Sequence, residues 1–492
     1  MRTGGHVLDW EIKPSPFKIY PGIDPEPLPR EFPRLERDAL AALRVERAET
    51  PAPLDREQLA AVLFFSAGIT KRRRYPGGGE VFFRAAPSTG ALYQTEVYVV
   101  VGAAPGLASG VYHFGPGDFA LRRLRAGDWR ATLAAAAADE AVARAPATLV
   151  LTAIYWRNTW KYQARGYRHL FWDSGSMLAN ILAAAAALDL PARLVAGFAD
   201  GEVNRLVGVD PVREAALALV PLGGPGAPAP PAGVPAPLSP EVIPLSAREV
   251  DYPLLRQAWA DSTLTTGEEV AAWRGEAEPT GAVAARTLVA LPPPAPAAGR
   301  ALGETIVARG STREFSGEPI SAAELSTALH HATRGFPADF PAGLVDLCLN
   351  VHAVTGIAPG AYAYYPARHA LELLRPGDFR GDSAFLCLDQ RLGGLSSATV
   401  FFLADLGRVL ARFGNRGYRL ANLEAGLIGG RLYLAAYAQR FGATGLTFYD
   451  DEVVRFFSPH AAGRDALFVT ALGRSVKPGA AAGLLPIRPT RR

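Results

Sequence analysis

The second half of this 492-residue sequence repeats the first. Residues 110–130, GVYHFGPGDFALRRLRAGDWR, align without a gap on residues 360–380, GAYAYYPARHALELLRPGDFR. Other matching segments occur in the same order in both halves: 54–63 with 320–329, 160–168 with 411–419, 202–208 with 452–458, and 219–224 with 469–474. Such a repeat predicts two homologous domains, which pack most simply as a pseudo-twofold pair within one chain.

The matches place the first domain at residues 41–225 and the second at residues 301–475. Residues 1–40 contain several prolines and are predicted to form an arm packed on the domains, and residues 476–492 form a tail. Residues 226–300 begin and end with Pro/Ala-rich stretches, which are typical of extended linkers. Within this linker, the segment YPLLRQAWADS indicates a short helix.

Each repeat alternates helical and strand patterns. In the first repeat, Asp55 is a predicted N-cap of a helix that begins DREQLAAVL. Strands are predicted at TEVYVVVG, ATLVLTAIYW and ALALVPLG, and the apolar segment LFWDSGSMLANILAAAAALDL predicts a long buried helix. The predicted class is α+β, in two tandem domains that each have a mainly antiparallel central sheet flanked by helices.

The bulk composition argues against several classes of protein. With 49% apolar and 20% charged residues and a net charge of +4, the chain is predicted to be globular, without nucleic-acid binding. Its first residues form no signal peptide, and no apolar run is long enough to span a membrane, so we expect a cytoplasmic protein. Cys348 and Cys387 match no disulfide framework or metal site and are predicted to be buried thiols.

The two repeats differ in the residues that could carry chemistry. The chain has only five lysines against 46 arginines, yet Lys161-Tyr162 of the first repeat becomes Arg412-Phe413 in the second. The second repeat opens with ARGSTREFSGEPIS, which supplies two arginines and a serine that suit a phosphate dianion. The corresponding segment of the first repeat has lost the serine and carries Glu46, which would repel a phosphate.

A loop rich in small and hydroxyl residues, APSTGALYQTE (86–96), distinguishes the first repeat. Such a loop allows close approach to a planar polar ring. The simplest interpretation is one surviving site at the domain interface, facing Lys161-Tyr162. Simpler alternatives remain open: a surface lysine, structural arginine pairs and an ordinary turn. The segment KRRRYPGGGE (71–80) is predicted to be a solvated, flexible insertion near this site, with a role in gripping an acidic peptide left open.

These motifs resemble the nitroreductase superfamily, and specifically its SagB/ThcOx branch of azoline dehydrogenases. The resemblance rests on RGSTREF, on PSTGALY, on WKYQARGYR followed by DSGSMLANILAAAAALDL, and on FGATGLTFYDDEVVRFF. It implies one FMN per chain, held between the two domains of an intramolecular pseudo-dimer. Residues 223–300 are not explained by it.

The resemblance also implies roles for individual residues. The flavin phosphate would be bound by Arg309, Ser311, Arg313 and Arg474. The flavin ring would be contacted by Pro87, Ser88, Thr89, Gly90 and Ala91, by Gln390, whose counterpart is Asp139, and by the backbone N–H groups of Thr444, Gly445 and Leu446. Lys161 would be the catalytic base or set its protonation, and Tyr162 would relay the proton.

Three departures from the branch's pattern are visible. Gly310 stands where a second arginine is common, Ser176 stands where a histidine is usual, and the second repeat lacks the ring-contacting loop. The expected activity is oxidation of a thiazoline, oxazoline or similar ring in a small-molecule or peptide natural product. A nicotinamide-dependent nitro or quinone reductase and a non-catalytic flavin-binding scaffold remain alternatives, and a partnership with a cyclodehydratase complex is left open.

Overall fold

The computed structural model describes residues 7–45, 50–74, 80–102, 104–275 and 288–476, and the backbone of 484–486. The arm and first domain contain the strands β1 (Glu26–Pro27), β2 (Ile69–Arg74), β3 (Glu80–Arg84), β4 (Thr95–Val101), β5 (Gly110–Gly115), β6 (Ala120–Ala126), β7 (Ala147–Ile154) and β8 (Glu214–Leu222). Their helices are α1 (Ala39–Ala42), α2 (Arg56–Ala67), α3 (Arg130–Ala137), α4 (Glu140–Arg144), α5 (Tyr155–Tyr162), α6 (Gly166–Ala187) and α7 (Asp200–Val207).

The linker contributes helices α8 (Pro253–Ala260) and α9 (Gly267–Arg274) and strand β9 (Leu288–Ala290), so the helix predicted at YPLLRQAWADS is confirmed. The second domain contains the helices α10 (Leu302–Ala308), α11 (Ala322–Thr333), α12 (Arg380–Leu386), α13 (Arg391–Leu395), α14 (Leu406–Phe413), α15 (Arg416–Ala438) and α16 (Asp450–Phe457). Its strands, with the tail strand, are β10 (Ile320–Ser321), β11 (Asp346–Val351), β12 (Val354–Thr355), β13 (Gly360–Tyr365), β14 (Ala370–Pro376), β15 (Ala398–Ala404), β16 (Gly442–Gly445), β17 (Asp465–Gly473) and β18 (Leu484–Pro486).

Each domain is built on one antiparallel sheet, as the repeat predicts. The first sheet has the order β1-β6-β5-β4-β7-β8 and the second has the order β16-β17-β15-β11-β13-β14-β9. Strands β4 and β7 and their counterparts β11 and β15 are buried through most of their length. The N-terminal arm adds β1 to the first sheet, and the linker adds β9 to the second.

The local signals explain most element boundaries. Helix α2 begins with a capping box in which Asp55 accepts a hydrogen bond from the Gln58 N–H and the Gln58 side chain accepts one from the Asp55 N–H. The strand predicted at ATLVLTAIYW is shorter than expected, because it ends at Ile154. Tyr155 donates its N–H to the Arg213 carbonyl and starts α5. This boundary places Lys161-Tyr162 at the end of a helix.

The basic segment 71–80 is not a simple flexible insertion. Residues 71–74 belong to β2, which pairs with β3 on one side and with the tail strand β18 on the other. Residues 75–79, which the prediction also covered, lie outside the described residues. The hairpin follows α2 in the first domain, and α11, the second domain's counterpart of α2, is followed by β11.

The long helices α6 and α15 form the centre of the domain interface, and two sets of ion pairs flank them. Arg165 and Arg168 at the start of α6 donate to Asp450 of the second domain, at 2.5 and 2.7 Å. At the equivalent positions, Arg416 and Arg419 of α15 donate to Asp200 of the first domain, at 2.6 and 2.7 Å. The residues that WKYQARGYR and ARFGNRGYR share therefore hold the two domains together.

Candidate active site

Three of the predicted motifs meet where the first domain faces the second. Tyr162, at the end of α5, places its Oη 3.0 Å from where a Cβ on Gly90 would stand. Arg313, from the segment after α10, is close enough to perturb the pKa values of both Lys161 and Tyr162. The Lys-Tyr pair, the loop 87–91 and the arginine-serine motif therefore lie close together between the two domains, in a region that we call the cleft.

Lys161 lies in a positively charged environment. Its ammonium is half-buried and lies 5.4 Å from the centre of the Tyr162 ring. Burial, followed by the charges of Arg313 and Lys13, lowers the pKa of the Lys161 ammonium below its ordinary value. Both effects favour the neutral amine, which is the form of lysine that can accept a proton.

Tyr162 is held from several sides. The edge of its ring contacts His169, with centroids 4.5 Å apart. It also packs against an apolar cluster made of Ile12 from the arm and Leu92, Trp156 and Trp160 from the first domain. Burial and then the carboxylate of Asp173 raise the pKa of the Tyr162 phenol, so its hydroxyl stays protonated. The phenol is a hydrogen-bond donor at this position.

The loop 87–91 is fixed by Asp173, a residue of α6 that the sequence analysis did not identify. Its carboxylate accepts hydrogen bonds from the Ser88 hydroxyl at 2.5 Å, from the Thr89 hydroxyl at 2.7 Å and backbone N–H at 2.9 Å, and from the Gln94 amide at 2.6 Å. Burial raises the pKa of Asp173 to about 6, although these hydrogen bonds oppose the shift. The signal in the sequence was that Asp173 is the one carboxylate in α6.

The backbone of this loop is in an uncommon conformation. Gly90 has a φ of 66°, and the two non-glycine residues Ala91 and Tyr93 also have positive φ values, of 55° and 51°. Such conformations cost free energy and concentrate at functional sites. The hydroxyls of Ser88 and Thr89 point to Asp173, so the loop presents its backbone and Gly90 to the cleft.

The predicted phosphate-binding residues have different surroundings. Arg309 is buried and crosses the interface, where it donates to the carbonyls of Ala85 at 2.8 Å and Arg84 at 3.0 Å. Arg313 is exposed in the cleft. Arg474 instead pairs with Glu324, since one of its guanidinium nitrogens donates to both carboxylate oxygens, at 2.8 and 2.9 Å. An anion in the cleft would compete with Glu324 for Arg474.

Tyr433 of α15 connects the phosphate motif to the predicted ring-contacting segment. Its hydroxyl lies 3.2 Å from the Ser311 hydroxyl and accepts the Gly445 N–H at 2.6 Å. The Leu446 N–H donates to the Val469 carbonyl, and the Thr444 hydroxyl lies 3.5 Å from the Gly445 carbonyl. The N–H groups of Gly445 and Leu446 thus have protein partners, and Thr444 lies within the ladder between β16 and β17.

Gln390 adjoins the same segment, because its amide donates to the hydroxyl and carbonyl of Thr447, at 3.0 and 3.2 Å. Its counterpart Asp139 instead caps α4 and pairs with Arg193. Ser176, where the branch usually has histidine, donates to the Gly426 carbonyl at 3.2 Å and packs in the helix interface. Its place in this protein is structural.

Comparison with known proteins identifies the fold. The model of the nitroreductase family matches residues 44–224 and 306–461, which is more than half of the chain. The chain belongs to the nitroreductase family. This is a family of FMN-dependent oxidoreductases, and both repeats contribute to the match.

Among relatives, the "Putative nitroreductase MJ1384" of Methanocaldococcus jannaschii is 31% identical over 187 residues, covering 38% of this chain and 89% of that protein. The trifolitoxin-processing protein TfxB of Rhizobium leguminosarum bv. trifolii is 28% identical over 189 residues, covering 36% of this chain and 50% of that protein. A solved structure of a "putative nitroreductase" from Anabaena variabilis is 28% identical, covers 96% of each chain and superimposes with a TM-score of 0.76.

The donor set of the cleft fits the FMN of a nitroreductase. Arg309 contacts backbone carbonyls and lies 5.8 Å from the centre of the Tyr433 ring. Lys71 donates to the carbonyls of Ala308 and Arg309. It lies in the segment 71–80, which was predicted only to be a flexible insertion. Among the described residues no carboxylate pairs with either cation, and the Ser311 hydroxyl lies in the same motif. Uncompensated buried cations of this kind suit an anion such as a phosphate.

The second cleft that a symmetric nitroreductase dimer would have is closed by the protein itself. Leu194 pairs with Ala338 of the second domain, and Asp339 accepts the N–H groups of Ala196 and Gly197 at 2.8 and 2.9 Å. This segment corresponds to the region of Thr444–Leu446, because the Val195 N–H donates to the Leu219 carbonyl as the Leu446 N–H donates to the carbonyl of Val469, the counterpart of Leu219. Asp339 thus reaches across from the second domain onto this backbone, whereas the N–H groups of Gly445 and Leu446 are bonded within their own domain.

Helix α9 of the linker completes this closure. Arg274 pairs with Asp339 at 3.1 Å, and Trp273 donates to the carbonyl of Phe413, the counterpart of Tyr162, at 3.0 Å. A Cβ on Gly197 would collide with the Trp273 ring. Glu46, which was predicted to repel a phosphate here, lies outside the described residues.

Three further observations concern the class of protein that the sequence predicts. Among the described helices, none is both long and apolar enough to cross a bilayer. Within the same part of the chain, His, Cys, Asp and Glu side chains form no group that could hold a metal ion. Cys348 and Cys387 are buried and unpaired, as the sequence predicted.

Proposed function

We propose that this protein is an FMN-dependent dehydrogenase that oxidises a thiazoline, oxazoline or similar ring in a peptide natural product. The observation that carries the proposal is the position of Lys161 and Tyr162, which adjoin the ring-contacting loop and Arg313 in one cleft. The likeness to a protein that processes trifolitoxin supports a role in peptide maturation. The family alone would support many other reactions.

The reaction removes a hydride and a proton from adjacent atoms of the ring and leaves an aromatic azole. The chemistry that FMN would supply when bound is acceptance of the hydride at N5, with dioxygen or another acceptor taking up the two electrons afterwards. Lys161 Nζ takes the proton in this scheme, and the lowering of its pKa by burial and by Arg313 favours the neutral amine that this role needs. Tyr162 keeps its own proton and donates a hydrogen bond into the cleft, which orients the substrate ring beside Lys161.

The proposal includes one FMN per chain. Arg309, Ser311 and Arg313 would hold the phosphate, and Arg474 would join them on leaving Glu324. Pro87–Ala91 and the segment 444–446 would contact the two sides of the ring. Closure of the second cleft by Asp339, Trp273 and Arg274 supports a single flavin rather than two.

The substrate ring requires a cyclodehydration of a cysteine, serine or threonine residue. We infer a cyclodehydratase as the preceding enzyme and as a partner. A cytoplasmic site of action belongs to the proposal and is supported by the two unpaired thiols.

The flavin content of the purified full-length chain tests the cofactor part. We expect a ratio near one FMN per chain, lost in the Arg309→Ala/Ser311→Ala double variant. A ratio near two would contradict the single site. Absence of flavin even after incubation with FMN would overturn the oxidoreductase proposal and favour a scaffold.

Turnover of a thiazoline-containing peptide tests the reaction. We expect azole formation by the native chain, loss in Lys161→Met, and retention in Arg412→Met, the change at the equivalent position of the second repeat. Oxidation of NADH or NADPH by a quinone or nitro compound, without any azole formation, would identify a nicotinamide-dependent reductase instead.

A further inference from the structure

Lys71 connects the two domains at the start of the phosphate motif. It belongs to β2, in the hairpin that follows α2 of the first domain, and its side chain reaches the second domain at the end of α10. Its Nζ donates to the Ala308 carbonyl at 2.9 Å and to the Arg309 carbonyl at 2.7 Å. The same Nζ lies 3.9 Å from where a Cβ on Gly310 would stand.

An ammonium has three hydrogens, and two carbonyls use two of them. The third is available on the side of Gly310, the position between Arg309 and Ser311 that carries no side chain. The Tyr437 hydroxyl lies on the same side, 3.7 Å from the same Cβ position. The absence of a side chain at Gly310 leaves room for the Lys71 ammonium beside the motif.

The charges around Lys71 are unbalanced. Arg309 is the neighbouring cation, and burial together with its charge lowers the pKa of Lys71 to about 8. Among the described residues Lys71 forms no ion pair with a carboxylate, and the partners of Arg309 are also backbone carbonyls. Two adjacent, partly desolvated cations repel each other, and a dianion placed between them would relieve that repulsion.

We propose that Lys71, donated by the first domain, is a binding residue for the phosphate of the flavin held by the second domain. The inference rests on the proposed FMN site and adds to it a cation that neither the motif nor the second repeat contains. The phosphate would then contact both domains, and the hairpin β2–β3 would select FMN over riboflavin. The backbone of β18 pairs with β2 at Lys71 and supports this strand from the other side.

Binding of FMN and of riboflavin to the flavin-free full-length protein tests this role. The two ligands differ only in the phosphate. The ratio of their dissociation constants therefore gives the contribution of the phosphate to binding, and quenching of flavin fluorescence measures both constants. In Lys71→Met we expect FMN affinity to fall about tenfold or more, with riboflavin affinity nearly unchanged. Lys71→Arg, which keeps the charge, should restore most of the FMN preference.

Arg72→Met is the matched control, because it removes one positive charge from the next residue of the same strand. A guanidinium nitrogen of Arg72 lies 4.0 Å from a carboxylate oxygen of Glu80, and within the described part of the chain no ion pair links Arg72 to the phosphate motif. Its FMN-to-riboflavin ratio should equal that of the native chain. Equal losses of FMN and riboflavin affinity in Lys71→Met would show that Lys71 only joins the domains, and would overturn the proposal.

Competition by inorganic phosphate gives a second measurement that does not depend on a folded Lys71 variant. Phosphate should displace FMN from the native protein but should not displace riboflavin. A native protein that binds both flavins equally would contradict a role for Lys71 while leaving the flavin site intact. A native protein that binds neither flavin would refute the proposed function itself.

Discussion

Gly175 of α6 and Gly426 of α15 lie at equivalent points of one helix crossing, each against the backbone of the other helix. A Cβ on Gly175 would come closer than 3.0 Å to the Leu423 carbonyl oxygen, and one on Gly426 would come equally close to that of Trp172. Leu423 and Trp172 are themselves equivalent positions of the two repeats. The pseudo-twofold axis of the chain therefore passes between these two glycines, close to the loop that Asp173 holds.

Alanine at either glycine should separate the two helices. We expect Gly175→Ala and Gly426→Ala each to lower the free energy of unfolding by about 3 kcal/mol, because backbone on both sides prevents local relaxation. Chemical denaturation followed by circular dichroism measures this change. Gly201→Ala is the control, since nothing lies within 4 Å of its Cβ position in α7. A native-like midpoint for Gly175→Ala would contradict the close crossing.

The two ion-pair sets should differ in their contribution to stability. The side chain of Asp200 is 2% exposed and that of Asp450 is 24% exposed. Asp200→Asn leaves Arg416 and Arg419 buried without a counter-charge, so we expect a loss of about 3–5 kcal/mol, and about 1–2 kcal/mol for Asp450→Asn. Arg455→Ala, which removes an exposed pair with Glu452, should change the unfolding free energy by less than about 0.5 kcal/mol. Equal losses in the two aspartate variants would refute this ranking.

The repeat made the fold predictable from sequence. Alignment of residues 110–130 on 360–380 required two similar domains, and the alternating patterns located β4, β8 and α6. The boundary of β7 could not be predicted, because Tyr155 is as compatible with a strand as with a helix. In the structure the chain enters α5 directly after Ile154.

From the residues alone, candidate site positions could be proposed mainly where one repeat has a residue that the other lacks. Lys161-Tyr162 and Ser311 differ from their counterparts, and that difference identified them. Asp173 was missed because its counterpart, Glu424, is also an acid, which accepts the N–H groups of Gly343 and Leu344 instead. The closure of the second cleft depends on the linker helix α9, which lies outside both repeats and has no counterpart to compare.

Tyr162→Phe should affect catalysis but not cofactor binding. The change removes the hydroxyl near Gly90 and keeps the ring that packs against His169. We expect kcat to fall by about 10- to 100-fold with little change in flavin content, because a hydrogen-bond donor is lost while the packing is preserved. Single-turnover kinetics with the thiazoline peptide would measure it. Phe413→Tyr in the second repeat is the matched control and should leave kcat unchanged. An unchanged kcat in Tyr162→Phe would show that the Tyr162 hydroxyl takes no part in the reaction.

Glu424 should make stability depend on pH. Burial raises the pKa of this carboxyl from 4.5 to about 7 in the folded protein. Below pH 4.5 both the folded and the unfolded chain carry the proton. As the pH rises, the unfolded chain releases it first, so the contribution of Glu424 to stability is lost between pH 4.5 and about 7 and stays constant above that.

In the Glu424→Gln variant, the side chain at this position neither binds nor releases a proton in this pH range. The difference in unfolding free energy between the native chain and this variant should therefore fall by a few kcal/mol, of the order of 3, between pH 4.5 and 7. Denaturation midpoints at several pH values measure the slope. For Asp173→Asn, the difference in unfolding free energy from the native chain should also fall with rising pH. It should become constant above about pH 6, since the pKa of Asp173 is raised to about 6. Glu268→Gln, on the exposed face of α9, serves as the control. A pH-independent difference for Glu424→Gln would mean that this carboxyl is ionised in the folded protein throughout the range, and that the N–H groups of Gly343 and Leu344 outweigh its desolvation.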